Sequence, residues 1–122
     1  MIKKWKKRML FAFNRPERQK VTLESVKFRK NGKLHNVEFP AEIHYGSKGQ
    51  VINIIYRNKG KEHRIGGPAS LLYYTNGNIA AEEYYVNGKR HRDPDEGPAF
   101  IKYSPEGKIT CTFYFVQDRS IR

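Results

Sequence analysis

The chain is short of acids, of cysteine and of long apolar runs. Its one cysteine, Cys111, cannot form a disulfide within the chain. That excludes a small secreted scaffold held by disulfides, and a reducing compartment is expected. The apolar run Met9-Leu10-Phe11-Ala12-Phe13, behind a basic start, is five residues long. It falls short of a signal-peptide core and of a membrane span, so a soluble, cytoplasmic protein is expected, at most peripheral to a membrane. Acids number 12 against 24 Lys and Arg, the reverse of what a mimic of nucleic acid needs. A nucleophile beside a base, a Gly-rich phosphate cradle and a second acid–base cluster are all lacking, so the chain is not read as an enzyme and no cofactor is implied.

What is present points to one small folded unit. The 122 residues suit a single core or one continuous stack. Aromatics make up 13% of the chain, mostly Tyr and Phe, which argues against disorder. The formal charge of +12 is unevenly placed: Lys3, Lys4, Lys6, Lys7, Arg8, Arg15, Arg18 and Lys20 stand against Glu17 alone, giving +7 in residues 1–20 and +5 in the rest. A basic arm on a mildly basic body suits a polyanionic partner: nucleic acid, anionic lipid or an acidic protein surface.

The body is periodic. Gly32, Gly60 and Gly88 are spaced by 28 and 28 residues, as are His35, His63 and His91. Pro40, Pro68 and Pro98, then Ala41, Ala69 and Ala99, then Gly49, Gly77 and Gly107, are spaced by 28 and 30, so one two-residue insertion within Asp93-Pro94-Asp95-Glu96 explains every offset. Turn chemistry recurs at two places per unit: Asn31-Gly32, Lys59-Gly60 and Asn87-Gly88, then Lys48-Gly49, Asn76-Gly77 and Glu106-Gly107. Asn-Gly favours the type I′ hairpin turn, whose central residues both need positive φ. Two hairpin turns per unit are expected. Apolar identity is kept at Phe28, Tyr56, Tyr84 and Tyr114, at Ile43, Leu71 and Ile101, at Tyr45, Tyr73 and Tyr103, and at Val51, Ile79 and Ile109. Each set is expected to stack on its own counterpart in the next unit. The step Phe39-Pro40-Ala41, Gly67-Pro68-Ala69 and Gly97-Pro98-Ala99 should mark the corner between hairpins, because Pro has no N–H for a ladder. The stretch after Tyr114 restarts the unit, and a partial fourth unit is expected to protect the last edge.

Val86-Asn87-Gly88-Lys89-Arg90-His91-Arg92, then Glu96-Gly97-Pro98-Ala99 and Tyr103-Ser104-Pro105-Glu106-Gly107-Lys108-Ile109, resemble the MORN-like repeats of bacterial, phage and large-virus proteins. The resemblance covers roughly residues 26–119, with a unit longer than the shorter MORN repeat and a first copy degenerate at Asn36-Val37-Glu38-Phe39. It implies an elongated stack of β-hairpins serving as a scaffold or binding surface. Protein and phospholipid contacts go with such proteins, and no catalytic residues do. It also allows a host-directed phage or viral factor.

Four features are candidate sites. The in-phase histidines would make a metal ladder only if they converged, and a structural hydrogen bond repeated three times explains them as well. His91-Arg92-Asp93-Pro94-Asp95-Glu96 sets carboxylates beside a histidine, the raw material of acid–base chemistry, or forms a solvated loop whose acids answer Arg90 and Arg92. Lys33, Lys61 and Lys89 at one turn position, with Arg64 and Arg92 at another, form a basic row that either tracks phosphates, with Tyr74 or Tyr85 stacking on bases, or keeps an aromatic stack soluble. In residues 1–20 the spacing of Ile2, Trp5, Met9 and Phe13 predicts a short helix, ended by Pro16, with Lys3, Lys4, Lys7 and Arg8 opposite. Such a helix adsorbs to anionic membrane or caps the open end of the first repeat.

The expected architecture is therefore an N-terminal basic segment over residues 1–20 and an all-β hairpin-repeat domain over 21–122, with three units of about 28 residues plus a partial fourth. The expected role is a non-catalytic interaction module binding a protein partner, with anionic lipid and nucleic acid as the alternatives.

Overall fold

The structure, a computed structural model, describes residues 24–36 and 38–121. These residues form strands, turns and loops with no helix, an all-β fold of antiparallel hairpins. The expected helix, and with it Lys3, Lys4, Trp5, Lys7 and Arg8, lies outside the described residues.

Seven strands form one antiparallel sheet whose spatial order is the order of the chain: β1 (Ser25–Lys27), β4 (Glu42–Tyr45), β5 (Val51–Ile55), β8 (Ser70–Tyr73), β9 (Ile79–Glu83), β12 (Phe100–Tyr103) and β13 (Ile109–Phe113). One residue beyond β1, β5, β9 and β13 a two-stranded ribbon begins: β2–β3 (Arg29–Lys30, Lys33–Leu34), β6–β7 (Arg57–Asn58, Lys61–Glu62), β10–β11 (Tyr85–Val86, Lys89–Arg90) and β14–β15 (Phe115–Val116, Arg119–Ser120). The intervening residue is Phe28, Tyr56, Tyr84 or Tyr114. Sheet and ribbons thus alternate along the chain.

The two kinds of turn have different chemistry. At the ribbon tips both central residues have positive φ, 52° and 78° at Asn31-Gly32, 51° and 89° at Lys59-Gly60, 51° and 83° at Asn87-Gly88, as type I′ requires. In the sheet hairpins only the glycine is left-handed: Gly49, Gly77 and Gly107 each donate N–H to the residue three before them, Gly46, Tyr74 and Ser104. These are type I turns closed by a glycine bulge, so Asn76-Gly77 departs from the Asn-Gly expectation. A register shift follows at the same place in each hairpin, between His44 and Tyr45, Leu72 and Tyr73, and Lys102 and Tyr103.

Backbone bonds repeat with the sequence. Ala41, Ala69 and Ala99 are fully or almost fully buried and accept from Phe28, Tyr56 and Tyr84 N–H at 2.7–2.8 Å. Each alanine donates in turn to Ile55, Glu83 or Phe113 on the following strand. The ribbons also bond to one another: Asn36, Arg64 and Arg92 donate N–H to Arg57, Tyr85 and Phe115, while Gly60, Gly88 and Asp118 donate to Leu34, Glu62 and Arg90. Two rows, one of long strands and one of ribbons, are fastened at every step.

Counterpart residues on the strands are not direct cross-strand partners. Across the sheet the registers run Val26, Ile43, Ile54, Leu71, Glu82, Ile101, Thr112, so a residue of the other hairpin arm separates Ile43 from Leu71 and Leu71 from Ile101. A sheet hairpin contributes two strands per unit, so direct counterparts lie two strands apart. The buried cluster is Val26, Ile43, Ile54, Tyr56 and Leu71, with Phe28, Phe39, Tyr45, Val51, Tyr73 and Ile79 packed against it. Burying an aliphatic chain as fully as Ile43 stabilises by about 1.5–3 kcal/mol. The row thins toward β13, where Glu82 and Thr112 take the places of Ile54. Glu82 is tolerated there because the Tyr103 hydroxyl donates to its Oε1 at 2.6 Å. Burial and that bond push the Tyr103 hydroxyl up to about 12, further above the neutral range in which it is already a donor.

The partial fourth unit completes the ribbon row with β14–β15, whose Gln117 and Asp118 adopt positive φ without glycine. It does not cover the sheet: among the described residues nothing pairs with the outer edge of β13. The fourth ribbon bonds to the third, and the expected protection of the last edge is not found among the described residues.

Candidate binding surface

The loops that lead from each ribbon back to the sheet carry the residues with most chemistry. In two units an arginine is locked in place: Arg64 Cζ sits 4.0 Å from the centroid of the Tyr56 ring, and Arg92 Cζ sits 4.0 Å from that of Tyr84. Each donates through Nη1 to a proline carbonyl at 3.2 Å, Pro68 or Pro98. The glycine of Gly-Pro-Ala makes room for this arrangement. A Cβ placed on Gly67 would lie 2.9 Å from Arg64 Cζ, and one on Gly97 would lie 2.6 Å from Arg92 Nη1. In the first unit Asn36 replaces the arginine, its Nδ2 donates to Pro40 O at 3.3 Å, and Phe39 stands where the others have glycine. The guanidinium and the missing side chain are thus one feature. Arg64 and Arg92, read as members of a phosphate-tracking row, hold their own loops.

The histidines are also engaged. Nδ1 of His35, His63 and His91 accepts from the backbone N–H of Lys59, Asn87 and Gln117, at 3.0, 3.0 and 3.2 Å. Each histidine therefore pins the next ribbon tip, and an accepting Nδ1 leaves the neutral ring's proton on Nε2. Among the described residues no group of three His, Cys, Asp or Glu side chains is arranged to hold a metal.

Successive loops leave grooves between them. One, of about 400 Å³, is lined by Asn36, Glu38, Arg57, Asn58, His63, Arg64 and Ile65. A larger one, of about 670 Å³, is lined by Arg64, Ile65, Gly66, Gly67, Tyr84, Val86, His91, Arg92, Asp93 and Glu96. Much of the second lining is the first advanced by 28 residues: Asn36 becomes Arg64, Asn58 becomes Val86, His63 becomes His91. The acid-rich insertion of the third unit forms part of the wall. Ile65 borders both grooves and is 75% exposed. Nothing in the strand periodicity marks it, and the available signal was an isoleucine in an otherwise polar loop, Arg64-Ile65-Gly66-Gly67.

Lys33, Lys61 and Lys89 occupy equivalent exposed places on consecutive ribbons. The stems of the first two lie along the next ribbon tip: a Cβ on Gly60 would be 3.9 Å from Lys33 Cβ, and one on Gly88 3.5 Å from Lys61 Cβ. Tyr74 and Tyr85 are half-buried rather than open platforms. The Tyr74 hydroxyl donates to Tyr103 O at 2.7 Å, and that of Tyr85 to Glu83 Oε2 at 3.1 Å.

A charged seam joins sheet and ribbons. Glu42, 5% exposed, accepts from Arg57 Nε and lies 3.3 Å from His44 Nε2, while Arg57 also donates to Gly60 O. Glu62, opposite Arg57 in its ribbon, has its carboxyl raised by burial; Arg57 and Arg90 oppose that rise, and Glu83 and Glu42 reinforce it. Glu42 joins both His44 and Arg57, and Arg57 also lines the smaller groove. Among the described residues no helix is long and apolar enough to cross a membrane. No protein family, curated protein or solved structure matches the chain.

Proposed function

We propose that the chain is a non-catalytic protein-binding module, a MORN-like repeat stack whose partner seats across the grooves between successive loops with Ile65 as its anchor. The observation that carries this reading is the exposure of Ile65 between two grooves of related lining. A large aliphatic side chain held in water beside polar, hydrogen-bonded walls gains most from a partner that covers it. The 28-residue repetition of the groove suits an extended partner that lies along the stack. The stacked arginines support the reading too, because a wall fixed before binding has little ordering left to lose. The in-line lysines favour a second reading, an anionic surface docking on the ribbons.

One experiment separates the two. The immobilised chain, its Ile65→Asp variant and a Lys33→Glu, Lys61→Glu, Lys89→Glu variant are compared for retained proteins and for binding to anionic vesicles. Loss of one retained protein by about tenfold or more with Ile65→Asp, and not with the lysine variant, is expected. Retention indifferent to Ile65→Asp overturns the proposal. Vesicle binding abolished only by the lysine changes establishes the second reading instead.

A further inference from the structure

The edge of β13, with which no described residue pairs, differs from the strands before it. Where the first part of the fold carries Glu42 and Ile55 in the sheet and Arg57 in the ribbon beyond it, the last part carries Phe100, Phe113 and Phe115. The rings cluster: Phe100 and Phe113 centroids are 5.8 Å apart, Phe113 and Phe115 6.5 Å. Phe113 is 44% exposed and Ile109 60%. Ile109-Thr110-Cys111-Thr112-Phe113 has no charge, proline or glycine in a chain where 30% of residues are charged. Natural sheets guard an edge with charge, proline or a bulge; β13 has neither charge nor proline, and its bulge at Thr110 leaves Cys111–Phe113 in regular pairing.

From these observations we propose that β13 pairs antiparallel with β13 of a second copy of this chain. The sheet supplies the register. β5 offers Asn53–Ile55 to β8, and β9 offers Ala81–Glu83 to β12, so β13 has Cys111–Phe113 to offer. Centred on Thr112, the pairing sets Thr112 opposite Thr112 of the second copy and Cys111 opposite Phe113, and it brings the two aromatic clusters together. Threonine opposite threonine is a favourable cross-strand pair. A three-residue ladder with three rings per copy lies at the low end of what a specific interface buries, so the dimer is weak. The net charge of +12 repels a second copy at long range. Salt screens that repulsion, so dimerisation strengthens with salt, opposite to the trend for an anionic partner.

The test is sedimentation equilibrium of the full chain from about 1 to about 500 µM, at low and moderate salt. A reversible dimer that grows with concentration and with salt, and that Phe113→Lys abolishes while far-UV circular dichroism is unchanged, is expected. A chain that stays monomeric throughout, or a dimer indifferent to Phe113→Lys, overturns the proposal. The register is read separately by mild diamide oxidation in a Cys111→Ser background. Thr112→Cys should cross-link to itself, because directly opposed residues place Cα atoms about 5.5 Å apart, within disulfide reach. Native Cys111, offset from its twin, should cross-link far more slowly. Rapid cross-linking through Cys111 and none through Thr112→Cys overturns the pairing, and this arm decides the matter should Phe113→Lys fail to fold.

Discussion

Arg64 and Gly67 show how one side chain dictates another three residues away. The guanidinium lies on Tyr56 beside Gly67, so a methyl group at 67 must shift it relative to its ring and Pro68 O. Gly67→Ala should cost about 1–2 kcal/mol in urea denaturation, from a lost cation–π contact and a lost charge-assisted hydrogen bond. In an Arg64→Asn background the same change should be nearly free, because the group it displaces is gone. Gly97 should behave differently. Its φ of +143° is unfavourable for any side chain, so Gly97→Ala should remain destabilising when Arg92 is also replaced. Equal losses for Gly67→Ala in both backgrounds would show that the glycine serves the backbone rather than the arginine.

At the scale of the element, the ribbon tip is a left-handed pair of residues, and Lys59 is the one lysine asked to adopt it where the other complete units have asparagine. Lys59→Asn should stabilise by on the order of 1 kcal/mol, seen as a higher urea midpoint with an unchanged slope, because asparagine tolerates positive φ better. The ribbons were legible beforehand, since Asn31-Gly32 and Asn87-Gly88 advertise them and Lys59-Gly60 falls in register. The sheet hairpins were legible as turns but not in type, because Asn76-Gly77 and Asn87-Gly88 read alike while their neighbours impose different loop lengths. Which residues share a rung was also out of reach. Ile43 and Leu71 recur at one place in the unit, yet Ile54, from the other arm of a hairpin, stands between them. The role of the arginines could be read only from the pairing of Arg64 with Gly67 and Arg92 with Gly97 against Asn36 with Phe39. The sequence shows that pattern, but without contacts it has no meaning. Ile65 carried no periodic mark at all.

At the scale of the molecule, stability in such a stack is close to a sum over units and the interfaces between them. The buried row is aliphatic from Val26 to Leu71, then meets Glu82 and Thr112, so the two ends of the sheet are unequal. Hydrogen exchange at low protein concentration should find Ile43, Ile54 and Leu71 amides protected at least about tenfold more than those of Thr110 and Thr112. Uniform protection from β4 to β13 would mean that the sheet opens only as a whole. The order of the strands has a mechanical corollary. Because each strand of the sheet pairs with the next sheet strand along the chain, tension applied between the chain's ends would load one hairpin at a time. The fold would yield by peeling, each 28-residue unit paying out roughly 95 Å of extended chain as its sheet and ribbon bonds released together.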